Sequence, residues 1–119
     1  MGCYECLVFR SGCSTNQHYL NTNSSDEVSF FKISQIYGTD KVTVHHYELL
    51  YEKYLRKYVG STVHLLEIGL GCGMHYGPGA SAHVWRHYLG SRANIYFLEF
   101  DRACGEAWYK SNGSKVKYL

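Results

Sequence analysis

Nowhere in the 119 residues does an apolar run approach the length that crosses a bilayer, so an integral membrane segment is not expected. A secretory leader is not expected either, because Leu7, Val8 and Phe9 are cut short by Arg10 and then by polar residues. Basic residues gather in no cluster. Twelve Lys and Arg against ten Asp and Glu leave a formal charge of only +2, too little to follow a row of phosphates, and nucleic acid is not the expected partner. Proline is nearly absent, at one residue, beside twelve Tyr and seven His. Tyrosine buries a ring while keeping a hydroxyl that needs a partner, so many of these residues are expected on half-buried faces or around a polar pocket. The five cysteines, Cys3, Cys6, Cys13, Cys72 and Cys104, are odd in number and cannot all pair within the chain, which points to a reduced, cytoplasmic setting.

What is present suits one small domain, with a hydrophobic content of 45%. Residues 1–25 are rich in Ser, Asn, Thr and Cys without periodicity and read as an irregular or disordered lead-in. Ser25, Asp26 and Glu27 then offer a helix start ahead of Val28, Phe31, Ile33 and Ile36, with Gly38 as its stop. A second helix is expected from Tyr47, Leu50, Tyr51, Tyr54, Leu55, Tyr58 and Val59, which recur at three- and four-residue steps. Glu48, Glu52, Lys53, Arg56 and Lys57 fall on its other face, Glu52 and Arg56 support each other four residues apart, and Gly60 ends it. This aromatic stripe is expected to pack against a sheet.

Val63, Leu65, Leu66 and Ile68 form a strand-like run that ends in glycines. A helix over 80–89, with Val84, Trp85, Tyr88 and Leu89 on one side, leads to a second strand over 95–100 that finishes in Glu99 and Asp101. Asp101 can cap a further helix to about Tyr109 or Lys110, and 115–119 begins a third strand. Strand, helix, strand, helix, strand is the pattern of an α/β fold with a Rossmann-like parallel sheet.

Between the first strand and its helix stand Glu67, Ile68, Gly69, Leu70, Gly71, Cys72 and Gly73: an acid, then glycines at alternate positions. A nucleoside can lie across a strand end only where the backbone turns sharply and presents no Cβ atoms to it, and glycine meets both needs. Glu99, 26 residues after Gly73, ends the next strand, where a carboxylate can accept hydrogen bonds from ribose hydroxyls. Asp101 is an alternative acid and reads more simply as a helix cap. A dinucleotide fingerprint needs G-x-G-x-x-G with a helix start close to a pyrophosphate. This loop instead alternates G-x-G-x-G and runs on through Met74, His75, Tyr76 and Gly77-Pro78-Gly79. A nicotinamide-type protein is therefore a distant alternative.

The string E-x-G-x-G-x-G followed by a strand-end acid resembles the first motif and the ribose acid of class I S-adenosylmethionine-dependent methyltransferases. Gly38-Thr39-Asp40-Lys41, then His45, Tyr47 and Tyr51, resembles the segment preceding that motif in macrocin-type O-methyltransferases and a related group of fungal methyltransferase-like proteins. LEIGLGCGMHYGPGAS and IYFLEFDRACGEAW are similar to the fungal group in particular. The resemblance covers residues 26–119 and implies the N-terminal half of a methyltransferase-like domain with S-adenosylmethionine as cofactor. It implies that Gly69, Gly71 and Gly73 bound the cofactor, that Glu67 organises its methionine end, that Glu99 holds the ribose, and that Thr39, Asp40, Lys41 and His45 lie over the same pocket. His75 and Tyr76 would sit beside the sulfonium, and Cys72 is expected to be a small loop residue without a catalytic base.

In macrocin-type relatives a divalent metal held by acids after the fourth strand activates the acceptor, and that region would lie beyond Leu119. No metal ligand is assigned here, no catalytic residue is identified, and the methyl acceptor is unknown. Only about three strands are expected, so the chain reads as a truncated, catalytically incomplete domain whose first strand, Val63 to Ile68, would be an unpaired edge open to self-association. A non-catalytic binding module is the other reading: Cys3, Cys6, Cys13 and His18 offer four zinc ligands, at a spacing that matches no strong motif. Gly2 and Cys3 suggest acylation, but Cys6 stands where the usual pattern has Ser or Thr.

Overall fold

Alternating side chains from His64 to Ile68 pleat into strand β2, and only one of its faces is buried: Leu65 and Glu67 point inward while His64, Leu66 and Ile68 are half-buried. The computed structural model describes residues 6–9, 29–113 and 117–118. Strand β1 spans Cys6–Phe9 and β3 spans Asn94–Leu98, with β4 at Lys117–Tyr118. The sheet order is β1-β2-β3-β4. β2 pairs in parallel with β3, His64 opposite Asn94 through Ile68 opposite Leu98, and β3 pairs in parallel with β4. The expected parallel α/β unit is thus present.

The β2 edge departs from expectation. β1 lies antiparallel along it, Cys6 opposite Glu67 through Phe9 opposite His64, so the strand expected to be bare is paired and self-association through that edge loses its basis. The apolar run Leu7, Val8, Phe9 carries the signal for a strand, although the segment around it has strand-breaking composition. Residues 6–9 correct the expectation of an irregular lead-in; the rest of 1–25, including Cys3, Cys13 and His18, lies outside the described residues.

Helix α3, Ala80–Leu89, returns the chain from β2 to β3 and buries Val84, Trp85, Tyr88 and Leu89 as its 3.6-residue period requires. Helix α4, Arg102–Asn112, starts on Asp101, whose carboxylate accepts the Cys104 N–H at 3.0 Å. Trp85 reaches Glu67 of β2 and Trp108 of α4 lies 6.3 Å from Phe97 of β3, so both helices cover the same sheet face.

The two helices before the sheet sit differently from expectation. Helix α1 spans Phe30–Tyr37, capped by Ser29, whose hydroxyl accepts the Lys32 N–H, and closed by Gly38 in the left-handed region. Its buried residues are Phe30, Ile33 and Ser34, while Phe31 and Ile36 are exposed. Helix α2, Glu48–Leu55, runs into a 3₁₀ turn over Arg56–Tyr58 and buries only Tyr51 and Leu55; Leu50, Tyr54 and Val59 face out. The stripe packs on helices, not on the sheet. Phe30 is the hub, with ring centroids 4.9 Å from Tyr51, 5.0 Å from Trp85 and 5.2 Å from Tyr88. Glu52, expected to point to solvent with Arg56, accepts the otherwise unpaired Phe30 N–H at the start of α1 and the Tyr88 hydroxyl at 3.0 Å, with Arg56 at 3.7 Å.

Candidate functional site

Parallel strands leave their C-terminal ends on one edge of the sheet, and the loops after β2 and β3 open there around a cavity of about 900 Å³. The nine site residues expected from sequence, Thr39, Asp40, Lys41, His45, Glu67, Gly69, Gly71, Gly73 and Glu99, all line this one cavity. Thr39 to His45 arrive from the turn that follows α1, and the others from the two strand ends.

The glycine loop is held open by backbone geometry. Gly69, Gly71 and Gly73 have φ of 96°, 85° and 83°, in the region where an L side chain is strained. The loop folds on itself through Met74 N–H to the Gly71 carbonyl, Gly77 N–H to Met74, and Gly79 N–H to Leu70 at 2.8 Å. At Gly79, also at positive φ, an added Cβ would overlap the Trp108 indole, so glycine here lets α4 close over the end of the loop.

Glu67 is 3% exposed, and its charge is matched inside the protein. The Lys41 ammonium, itself 6% exposed, lies 2.8 Å from Oε1, and the Trp85 indole N–H donates to Oε2 at 2.6 Å. Trp85, absent from the residues expected at the site, thereby orients the Glu67 carboxylate from below. Glu99 Oε2 accepts the Leu70 N–H at 2.7 Å and Oε1 accepts the Asp101 N–H at 2.9 Å. Two backbone bonds fix this carboxylate at the cavity wall, and each oxygen keeps a further lone pair for a ligand hydroxyl. Asp101 also lines the cavity, while its side chain caps α4.

Asp40 collects contacts over the mouth. His45 Nε2 lies 3.7 Å from its Oδ2, and the His45 ring stacks on Tyr47. The Tyr76 hydroxyl, which lines the cavity, is pushed up to about 12 by burial, then by the Asp40 charge and the hydrogen bond to that carboxylate. Tyr76 therefore ties the glycine loop to the turn after α1. His75 stands next to it, edge-on at 5.1 Å, but is not among the lining residues.

Cys72 is a loop residue as expected, but it is not a free thiol. It lines the cavity and forms a disulfide with Cys104 in the first turn of α4, with a Cα–Cα distance of 6.2 Å. A wholly reduced cysteine set is overturned for this pair. Spacing carried no signal for it, since five cysteines allow many pairings and only the fold brings these two elements together.

Four carboxylates, Asp40, Glu67, Glu99 and Asp101, and one ammonium, Lys41, surround the cavity, with His45 the only other ionisable nitrogen base. The field is negative. It suits a ligand carrying positive charge and opposes a pyrophosphate. Among the described residues no group of three or more His, Cys, Asp or Glu is arranged to hold a metal ion.

No family profile and no curated protein sequence matches the chain. Its fold is similar to a solved structure of the MycE methyltransferase from the mycinamycin biosynthetic pathway in complex with Mg, SAH and mycinamycin VI. The TM-score is 0.62 at 24% sequence identity, with 80% of this chain and 25% of that chain covered. A second structure of that methyltransferase, with Mg and SAH, gives the same values. The chain thus has a methyltransferase-like α/β fold and spans about a quarter of the length of the structures it matches.

Proposed function

We propose that this chain binds S-adenosylmethionine as the N-terminal, cofactor-holding part of a class I, O-methyltransferase-like domain. The observation that carries the reading is the combination in one cavity of a glycine loop at positive φ, a backbone-fixed strand-end acid and an excess of carboxylates. A cationic sulfonium fits that field and a dinucleotide does not. Support also comes from the fold likeness to an SAH-bound methyltransferase.

In this reading Glu99 accepts hydrogen bonds from the ribose hydroxyls. Gly69, Gly71 and Gly73 let the backbone approach the adenosyl and methionine portions. Glu67 and Lys41, locked together and buried, set the charge at the methionine end, where the pair can face both the amino and the carboxylate group. Thr39, Asp40 and His45 cover the pocket, and Tyr76 joins that cover to the loop. When bound, the cofactor supplies an electrophilic methyl group; the chain's own residues orient it and exclude water. The described residues do not fit a divalent metal, so no acceptor-activating step is assigned to them.

The proposed setting is the cytoplasm; no described helix is long and apolar enough to cross a membrane. The ligand is a small molecule rather than a nucleic acid, since no basic run accompanies the acidic cavity.

Calorimetric titration with S-adenosylhomocysteine tests the proposal, with NAD as the comparison. Binding of the former with a Kd in the range of about 1–100 μM and no heat from NAD is expected, and Glu99→Ala should weaken binding by about 1–3 kcal/mol, the cost of losing charge-assisted hydrogen bonds. Absence of heat from S-adenosylhomocysteine up to millimolar ligand overturns it.

A further inference from the structure

We propose that the Cys72–Cys104 disulfide is a reversible redox latch on the glycine loop, so that its oxidation state sets how tightly the cavity holds its ligand. The inference rests on the nucleoside-binding reading above, and it starts from where the bond lies. Cys72 sits between Gly71 and Gly73 in the cavity wall, and Cys104 sits in the first turn of α4, three residues beyond the Asp101 cap. The bond therefore crosses from the loop after β2 to the helix after β3, the two segments between which the ligand would lie.

Helix α4 holds the loop at two points. Cys104 and Trp108 are four residues apart and share one face of the helix; the first is bonded to Cys72 and the second lies over Gly79. Between those points the loop carries Gly73 and Gly77, both at positive φ, and its backbone bonds, Met74 N–H to Gly71, Gly77 N–H to Met74 and Gly79 N–H to Leu70, run within the loop. A glycine-rich segment loses more order than any other when a tether is removed. Opening the disulfide leaves Trp108 at the far end and frees the near end, where Gly71, Cys72 and Gly73 form the cavity wall.

Accessibility fits reversibility. Both cysteines are half-buried, open enough for a small dithiol to reach. If the chain works in the cytoplasm proposed above, a disulfide there is more commonly transient and redox-sensing than structural. The step balances as thiol–disulfide exchange. A dithiol's thiolate attacks one sulfur of the bond and releases the other as a thiolate; the dithiol's second thiolate then displaces the protein sulfur from the mixed disulfide. Two electrons pass from the dithiol, which becomes a disulfide, to Cys72 and Cys104, which take up protons as thiols.

The full chain is prepared air-oxidised and dithiothreitol-reduced, and thiols are assigned by differential alkylation and peptide mass spectrometry. S-adenosylhomocysteine is titrated into each form, and amide hydrogen exchange over 70–79 is compared. The oxidised form is expected to carry the Cys72–Cys104 bond and bind about fivefold or more tightly than the reduced form, a coupling of ordinary allosteric size. Exchange over 70–79 should accelerate on reduction, with the circular dichroism spectrum retained. Cys104→Ser should match the reduced form under both conditions, which separates this bond from Cys3, Cys6 and Cys13. The proposal is overturned if the bond is absent from the oxidised chain, if it opens only with loss of the dichroism spectrum, or if reduction leaves both affinity and exchange unchanged. Lack of ligand heat in both forms overturns the nucleoside reading instead, and the exchange comparison alone then decides the latch.

Discussion

The helical pair over 30–58 and the strand–helix unit over 63–112 both contribute to the cavity, yet they are held by different forces. In the second, backbone hydrogen bonds set the register of β2 and β3, and the large buried side chains Leu65, Ile95, Phe97, Val84, Trp85, Tyr88 and Leu89 follow from the pleat or the helical period. In the first, no sheet partner exists among the described residues, and position comes from one aromatic cluster and one carboxylate: Phe30 among Tyr51, Trp85 and Tyr88, with Glu52 beneath. The contrast shows why an amphipathic pattern can name a helix and still misplace its buried side. Backbone pairing tolerates many side chains, whereas a helix docked on aromatics is oriented by whichever ring fits.

The largest effect is expected where the two regions share a residue. Trp85 is fully buried, packs on Phe30 and Tyr51 and donates to Glu67. Trp85→Ala should cost about 3–5 kcal/mol, much of the stability of a domain this size. Urea denaturation followed by circular dichroism should show loss of the 30–58 helices before, or together with, the sheet. If the two regions are as differently held as the contacts indicate, exchange protection should fall further over 30–58 than over 63–68.

Next comes the buried ion pair between the regions. Lys41→Met leaves Glu67 with Trp85 as its remaining close partner and should destabilise the fold by about 3 kcal/mol, the usual result of stranding one buried charge. Adding Glu67→Gln should recover a large part of that loss, because the neutral amide needs no countercharge. Recovery by the second change separates a charge effect from a packing effect. A smaller loss, about 1 kcal/mol, is expected for Glu52→Gln, which keeps one acceptor oxygen for the two donors Phe30 N–H and Tyr88 O–H. Thermal melts should detect it, and Glu48→Gln on the same helix serves as a control for a charge change without those bonds.

The same division explains what the sequence could reveal. Glycines at 69, 71 and 73 and the acid at 99 act through the local backbone, so their spacing announces the site, and α3 is read to its observed ends. The start of α1 moves from the expected Ser25 region to Ser29 because capping is decided by which hydroxyl meets a free N–H, and several Ser residues compete nearby. Phe30 in place of Phe31, Trp85 under Glu67, and the Cys72–Cys104 bond depend on elements 18 to 55 residues apart meeting in space, and no period in the chain encodes that. β1 is an intermediate case: Leu7, Val8 and Phe9 have strand character, but only the open edge of β2 gives them a partner.

The smallest effect should fall on the Tyr76 hydroxyl, which faces Asp40 of the turn after α1 from the glycine loop. Tyr76→Phe removes its bond to Asp40 and should lower stability at neutral pH by under about 1 kcal/mol, since the contact is partly solvated. Its pH dependence is more telling than its size. The Tyr76 hydroxyl is raised from 10.0 to about 12 in the folded chain, so the neutral phenol is favoured by folding. That contribution is fully present below pH 10.0, where folded and unfolded chains both hold the proton. It is lost as pH rises from 10.0 through about 12, where the unfolded chain releases the proton first. The informative quantity is the difference between wild type and Tyr76→Phe in urea midpoints measured from pH 8 to pH 11, because everything the two chains share cancels in it. The gap should narrow as pH climbs; a gap constant with pH would mean that Tyr76 holds the loop by ring packing alone and that Asp40 takes no part in joining the two regions.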